Sequence, residues 1–537
     1  MLRAEAPASW RHGRRCHAGA WCKPKRPYVG AAAASSELPL PEGSLGLPVV
    51  GETLELITSG DTFGTSRRER YGDVYKTNIL GAPTVMVYGE EAVRAVLAAE
   101  DKLVASDWPQ VTTTLVGPDS LNLLTGPRHG AVKRALSDAF ADKALRRHVP
   151  AIAALVQEYV AGWATGPQPT PGFESCQLLS QAVFDRVVLG GAGGRDRAAQ
   201  LQAIMAALQA GFNTPPLQLP FTDYGKAVAA RQEFGQLVSQ SIQRSRQAAA
   251  AASPSSSSGS PAPAFDCAMA DVVAAAAAAA STATGALPDS LLVDNATAAF
   301  FGNASTGPSL AKALQYLATN SESDAGSSDG GRGGGAAMAA LRKEQQDIMS
   351  RHGPEITAEA LDDMLYGTAV ARELLRITPA VPAVFRLALV DFELQGRRIP
   401  QGWRVWCHLG DSVTRYNKDH FNPERWLGSS NSSSSGGGGG GGGATAASAG
   451  GVAEAAAVGG CPMHSGAGGA KPEYSLPFGS GVRSCLGRNL VMSELLVTLA
   501  VLARGFEWET VNPAEQWGVV PSPAPKEGLR VRLRRRA

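Results

Sequence analysis

The residues with the clearest chemical potential lie together near the C-terminus, in Phe478-Gly479-Ser480-Gly481-Val482-Arg483-Ser484-Cys485-Leu486-Gly487. A glycine-rich loop delivers one cysteine to an apolar segment, Arg488 to about Ala503, that reads as a helix. A helix N-terminus offers free backbone N–H groups and the positive end of a dipole, and both favour a thiolate. Cys485 is therefore expected to have a lowered pKa and to bind a metal. No CxxC partner lies nearby, so a four-ligand zinc site is excluded. One thiolate on an otherwise buried metal is the ligand set of a haem-thiolate iron. Gly479 and Gly481 allow a tight turn and close approach to a flat ring, and Gly487 lets the helix pack close. Arg483 is placed to pair with a haem propionate in bidentate fashion. The alternative is a buried structural cysteine after a glycine turn.

These ten residues resemble the haem-binding signature of the cytochrome P-450 superfamily, Phe-x-x-Gly-x-Arg-x-Cys-x-Gly, and match it at every fixed position. The resemblance implies a mainly α fold, with a large helical domain and a small β-rich lobe. It implies haem b (iron protoporphyrin IX) as cofactor, Cys485 as axial ligand, and Phe478, Gly479, Gly481, Arg483 and Gly487 around it. Further contacts follow from the same likeness. His129 and Lys133, in Gly126–Arg134, have the i, i+4 spacing of the family's propionate-binding pair, with Arg134 as the neighbour able to substitute. A solvated basic helix start is the alternative there. Arg386 is expected at a propionate, and Pro382–Phe385 as an apolar wall of the substrate pocket.

The proximal framework resembles the family's too. Glu373-Leu374-Leu375-Arg376 matches Glu-x-x-Arg, and Arg425 of Pro423-Glu424-Arg425-Trp426 is the expected third member of a buried charge cluster. The oxygen side departs from pattern. Val293–Ala318 reads as one long helix carrying Phe301-Gly302-Asn303-Ala304-Ser305-Thr306-Gly307-Pro308. Gly302 leaves room for dioxygen, Ser305 stands where the family has threonine, and Ala304 replaces the family's acid. Proton delivery then falls to water, Asn303, Ser305 or Thr306, and slow or leaky oxygen activation is expected. Pro308 is expected to kink the helix.

Residues 373–405, with Pro379–Arg386 and Ile399-Pro400-Gln401-Gly402-Trp403, look like the retinoic-acid hydroxylases and their cyanobacterial retinoid-oxidising relatives, with plant abscisic-acid and brassinosteroid hydroxylases as cousins. Segment 38–60 and Trp108-Pro109 agree. The implied activity is hydroxylation of an isoprenoid-derived lipid: a retinoid, apocarotenoid or sterol. Two alternatives stay open, an isomerase or dehydratase acting on a hydroperoxide, which needs no acid–alcohol relay, and a non-catalytic haem or ligand-binding protein.

The elements that must position these residues fit in 537 residues, 44% of them hydrophobic, with net charge +2. That is ample for a large core, and the near-neutral balance gives no hint of nucleic acid. Seven scattered cysteines imply no disulfide framework and a reducing compartment. Residues 1–37 are basic, acid-poor and alanine-rich, the composition of an organelle transit peptide, with a disordered basic tail as alternative. No run reaches the ~18 apolar residues of a membrane span. A chloroplast or other organelle is therefore expected, otherwise cytoplasmic or peripheral membrane attachment.

The folded domain is expected over 38–537, interrupted by disordered low-complexity inserts at 248–263, 321–337 and 428–469. The last holds Cys461-Pro462-Met463-His464, a chance tetrapeptide or a secondary regulatory site. Strands at Tyr75–Leu80 and Thr84–Tyr88 form a hairpin, Glu90–Ala99 a helix, and 145–246 is mostly helical with a break at Gly166–Pro171. Gly211–Leu217 matches the family's substrate-access loop. No flavin or NAD fingerprint is present, so electrons must come from an external donor, a ferredoxin or a flavin reductase.

Overall fold

The computed structural model describes residues 37–48, 50–59, 61–79, 81–212, 214–251, 266–280, 287–319, 334–378, 380–410, 421–427, 476–518 and 523–536. The N-terminal segment 1–36, most of the three inserts, Pro379 and the Cys461–His464 tetrapeptide lie outside them.

The described chain is mainly helical. Its helices are α1 (Thr53–Ser59), α2 (Asp61–Tyr71), α3 (Glu90–Ala98), α4 (Gln110–Leu115), α5 (Gly126–Ser137), α6 (Asp142–Leu145), α7 (Val149–Thr165), α8 (Gly172–Phe184) and α9 (Arg195–Phe212). They continue with α10 (Asp223–Ala251), α11 (Ala268–Ala280), α12 (Asp289–Asn303), α13 (Thr306–Tyr316), α14 (Gly334–His352), α15 (Ala358–Asp362), α16 (Leu365–Ile377) and α17 (Arg488–Gly505). Two of the expected inserts are trimmed by this. Residues 248–251 continue α10, and 334–337 form the first turn of α14, with Ala337 buried. Alanine is the best helix former, so these edges extend the neighbouring helices.

The strands are β1 (Glu42–Gly43), β2 (Val74–Ile79), β3 (Ala82–Val87), β4 (Val104–Ser106), β5 (Thr170–Pro171), β6 (Ala383–Ala388), β7 (Phe392–Leu394), β8 (Arg397–Ile399), β9 (Arg404–His408), β10 (Phe506–Thr510), β11 (Trp517–Gly518), β12 (Ala524–Pro525) and β13 (Arg530–Arg535). The main sheet runs β1-β2-β3-β9-β6-β4 and mixes parallel with antiparallel pairs. In the β2–β3 hairpin Ile79 pairs with Ala82, so β3 starts two residues before the expected Thr84. One face of this sheet packs on α3 through Ala92, Val93, Val96 and Leu97, the apolar stripe of an amphipathic helix.

The large core lies among the helices, and α17 runs through it. From Glu494 to Ala503 every residue of α17 is buried, the signature of a helix surrounded by others. It contacts α7, α13, α14 and α16. The cysteine loop feeds directly into this helix, so a rigid central element fixes the position of the sulfur.

The expected single helix over 293–318 is two. Helix α12 begins earlier, at Asp289, and ends at Asn303, and α13 starts at Thr306. Between them Ala304 N–H and Ser305 N–H turn back three residues, to the carbonyls of Phe301 (3.3 Å) and Gly302 (3.2 Å). Pro308 supplies the cause. It cannot donate a hydrogen bond to the Ala304 carbonyl four residues earlier, and its ring crowds that carbonyl.

Candidate functional site

The cysteine loop is closed by its own backbone. Cys485 N–H donates to the Phe478 carbonyl (2.9 Å), Gly479 N–H to Leu476 (2.9 Å) and Ser484 N–H to Gly481 (3.1 Å). Gly479 and Gly481 take φ of +67° and +70°, a region side chains avoid. Their surroundings differ. A Cβ on Gly479 would meet nothing within 4 Å, whereas one on Gly481 would lie 2.9 Å from the Leu97 carbonyl. The close approach at Gly481 is thus to the end of α3, and Gly479 is the one that borders open space.

Lys133 reaches the loop from α5. Its Nζ donates to the carbonyls of Val482 (2.6 Å) and Ser484 (2.9 Å) and to Ser484 Oγ (3.3 Å). Expected at a propionate, Lys133 instead tethers the loop. His129, one turn earlier, is buried, and burial together with the charges of Arg483 and Lys133 pushes its pKa down.

Cys485 is exposed, whereas the described cysteines Cys176, Cys267 and Cys407 are buried. Its sulfur accepts backbone N–H bonds from Gly487 and Arg488, at the start of α17. The expected lowering of its pKa does not follow. Although the residue has a solvent-exposed face, the protein packed around its sulfur desolvates the thiolate and pushes the thiol up, against those N–H groups and the charges of Arg488 and Lys133. Desolvation outweighs the helix end here, and a bound cation restores the balance by deprotonating a coordinating thiol.

Arg483 and Arg386 stand together and share a partner that sequence reasoning missed. Glu100, just beyond α3, bonds Arg386 Nε through Oε2 (2.5 Å) and Arg483 Nε through Oε1. The Glu100 side chain is 1% exposed. Arg483 also donates to the carbonyls of Leu121 (3.0 Å) and Leu124 (2.7 Å), and Arg386 to its neighbour Phe385 (2.8 Å). Arg483 therefore keeps one hydrogen on each terminal nitrogen, and the expected bidentate fork is already engaged by protein.

On the other helix pair, a Cβ on Gly302 would meet nothing within 4 Å. Ser305 Oγ donates to the Gly302 carbonyl at 2.6 Å. Thr306 is buried, and its hydroxyl has no partner among the described residues. Asn303 is not a delivery group in this geometry. Its amide donates to Ser180 O (3.2 Å) and Gln181 Oε1 (3.3 Å), and its oxygen accepts from Ser180 Oγ (3.2 Å), so it is buried against α8. A buried amide must satisfy its polar atoms, and α8 offers the partners.

Glu373, Arg376 and Arg425 come together. Arg376 donates Nε and Nη2 to Glu373 at 2.9 and 2.8 Å, both side chains fully buried. Arg425 Nε (3.1 Å), Trp426 Nε1 (2.9 Å) and Asn422 N–H (2.9 Å) complete the shell of that carboxylate. The cluster pins the 421–427 segment to α16, which packs against α17.

A clamp holds the segment before α5. Asp294 of α12 accepts Asp119 N–H (3.0 Å), and Asn295 accepts Leu121 N–H and donates to the Asp119 carbonyl (both 2.9 Å). Arg231 of α10 pairs with Asp294 at 2.6 Å. Gly117, at φ +119°, leaves no room for a Cβ, which would fall 2.0 Å from the Asp294 carboxyl carbon. The expected access loop is shifted. Gly211 and Phe212 finish α9, and the loop that follows exposes Leu217, Leu219 and Phe221.

These residues suit a haem: an accessible sulfur at a helix start, open space beside Gly479 and Gly302, and two arginines with donor capacity left. Among the described residues no cluster of three or more His, Cys, Asp or Glu could hold a metal ion in another way.

Comparison with known proteins agrees. The family model described as Cytochrome P450 matches residues 41–280 and 336–525. Cytochrome P450 26C1 of Homo sapiens is 30% identical over 511 residues, covering 93% of this chain and 89% of that protein. Abscisic acid 8'-hydroxylase 2 of Arabidopsis thaliana is 27% identical over 502 residues, covering 92% and 90%. A solved structure of retinoic acid bound cyanobacterial CYP120A1 superposes with a TM-score of 0.71 at 24% identity, over 93% of this chain and 100% of that one, and shares the fold.

Proposed function

The chain belongs to the cytochrome P450 family, and from that premise we propose that this haem monooxygenase hydroxylates a hydrophobic isoprenoid-derived substrate: a retinoid, apocarotenoid or sterol. The observation that carries the chemistry is Cys485, accessible at the start of α17 with two backbone N–H groups on its sulfur. The substrate class is supported by the likeness to an abscisic acid hydroxylase over 92% of the chain. The apolar wall of Pro382–Phe385, with Trp108 edge-on to Phe385 at 5.9 Å, fits such a ligand.

Haem b, when bound, supplies the oxygen chemistry, and the chain supplies ligand, pocket and protons. Cys485 would hold the haem iron through its sulfur. Arg386, Arg483 and His129 lie on the side proposed for the propionates. Gly302 keeps the distal side open, and Ser305 holds a hydroxyl proton against the Gly302 carbonyl. Thr306 adds a buried hydroxyl.

Electrons come from an external donor, for which we propose a ferredoxin or flavin reductase. The composition of residues 1–37 supports an organelle such as the chloroplast. No described helix is long and apolar enough to cross a membrane. The exposed Leu217, Leu219 and Phe221 support a peripheral membrane contact.

The test is a titration of the haem-loaded protein with retinoids, apocarotenoids and sterols while the Soret band is followed. A blue shift with one of them, followed by a hydroxylated product with a reductant present, is expected. Haem binding with no shift for any isoprenoid overturns the substrate class. Turnover of a fatty-acid hydroperoxide without reductant overturns the monooxygenase chemistry.

A further inference from the structure

Glu100 stands at an unusual place. Its carboxylate takes the Nε of two arginines that lie 286 and 383 residues away along the chain, on β6 and on the cysteine loop. It also accepts Ser106 N–H at 3.0 Å. Three segments thus converge on one buried side chain: the end of α3, strand β6 and the loop that carries Cys485.

The charges decide what this does. Two guanidinium groups in a dry site repel each other, and the repulsion is strong where the dielectric is low. One carboxylate between them removes that repulsion and fixes both groups by charge-assisted hydrogen bonds. Glu100 holds Nε of each arginine, which leaves hydrogens on the terminal nitrogens. Arg483 spends one hydrogen of each terminal nitrogen on Leu121 and Leu124, and Arg386 one of Nη1 on Phe385, so the remaining terminal hydrogens are what the pair offers a second anion.

We propose that Glu100 is the positioning residue of the haem propionate site, orienting Arg386 and Arg483 together and coupling both to the loop of the axial cysteine. This rests on the haem-binding reading above. Glu100 also offsets one of the two positive charges, so the site carries one net positive charge toward an incoming propionate.

The test compares the haem-loaded full chain with Glu100→Gln. Haem transfer to excess apomyoglobin gives the loss rate, and a redox titration gives the iron potential. The amide accepts from one guanidinium at most, and its NH2 faces the other. Haem loss about tenfold faster is expected, the scale of one charge-assisted hydrogen bond. A positive shift of the potential is expected with it, because a negative charge near the haem edge is gone.

Haem loss that is unchanged or slower overturns the positioning role, whatever the potential does. A fall in thermal stability alone, with both haem readouts at wild-type values, assigns Glu100 to structure and also overturns it. Where Glu100→Gln gives no folded protein, Glu100→Asp is measured the same way. The shorter side chain reaches one arginine, so an intermediate loss rate is expected, and a wild-type rate overturns the proposal. Failure of the wild-type chain to bind haem is a separate result, since it overturns the haem-binding reading itself.

Discussion

Ser305 Oγ donates its hydrogen to the Gly302 carbonyl at 2.6 Å, so the alcohol proposed to stand in for the family's threonine is tied into the break between α12 and α13. Its neighbour Ala304 brings no carboxyl group to recharge it. Replacing Ala304 by Glu is expected to raise the product formed per electron consumed, and Ser305→Ala to lower it and to slow product formation by ~10²-fold or more, the range of proton-relay groups. Parallel measurement of donor oxidation, oxygen uptake and product checks both. An unchanged ratio in both variants would show that water alone delivers the proton.

Cys485 is the only exposed residue among the described cysteines. Cys485→Ala is expected to abolish the thiolate signature of the ferrous carbon monoxide complex. Because the sulfur's N–H partners belong to α17 itself, the fold should survive, and circular dichroism is expected to be unchanged. Retention of the signature in this variant would refute the ligand assignment.

Glu373→Gln should be far more damaging than its conservative size suggests. The substitution leaves Arg376, 0% exposed in its side chain, with its ion pair broken. Breaking a buried pair costs about 3–5 kcal/mol. Urea unfolding is the measurement, and a loss below ~1 kcal/mol would be the scale of a surface pair instead.

The two positive-φ glycines of the cysteine loop are expected to separate. Gly479→Ala carries backbone strain alone, about 1–2 kcal/mol. Gly481→Ala adds a Cβ 2.9 Å from the Leu97 carbonyl, a backbone atom that cannot swing aside. It is expected to cost more than Gly479→Ala and to loosen the loop from α3. Thermal unfolding of the two variants side by side decides this, and equal losses would contradict it.

Glu494, on α17, is fully buried, and desolvation raises its pKa from 4.5 to about 8. Between those values the unfolded chain has lost this proton while the folded chain keeps it. Stability from this group therefore falls as pH rises from about 4.5 to about 8. Glu494→Gln is expected to remove that slope and to stabilise the protein near pH 8. Urea midpoints across the interval give the answer, and identical slopes in both proteins would count against it.

The haem loop and the Glu373 cluster were legible because their residue types sit at fixed short spacings, and chemistry at short spacing survives in one dimension. The thiol of Cys485 was misjudged in sign for a physical reason. The helix end is local and visible, but the desolvation of the sulfur that outweighs it comes from tertiary packing. Pro308 announced a disturbance, and the break falls at Ala304–Ser305, where the missing hydrogen bond would have ended. Asn303 looked available until the partners on α8 were in view. Glu100 had no signal at all. It is one of 48 acidic residues, and both of its partners are hundreds of positions away.

The Asp294–Asn295 clamp has a mechanical corollary. The hands that hold segment 117–121 belong to one fifteen-residue rod, α12, and the elbow that carries Ser305 begins where that rod ends, at Asn303. Arg231 bolts the same rod to α10. A ligand that displaced the 117–121 segment would lever on that rod, and through its end on the Ser305 elbow, so the two are geared to one shaft. Loosening the gear, as Asn295→Ala would do, should slacken both motions at once.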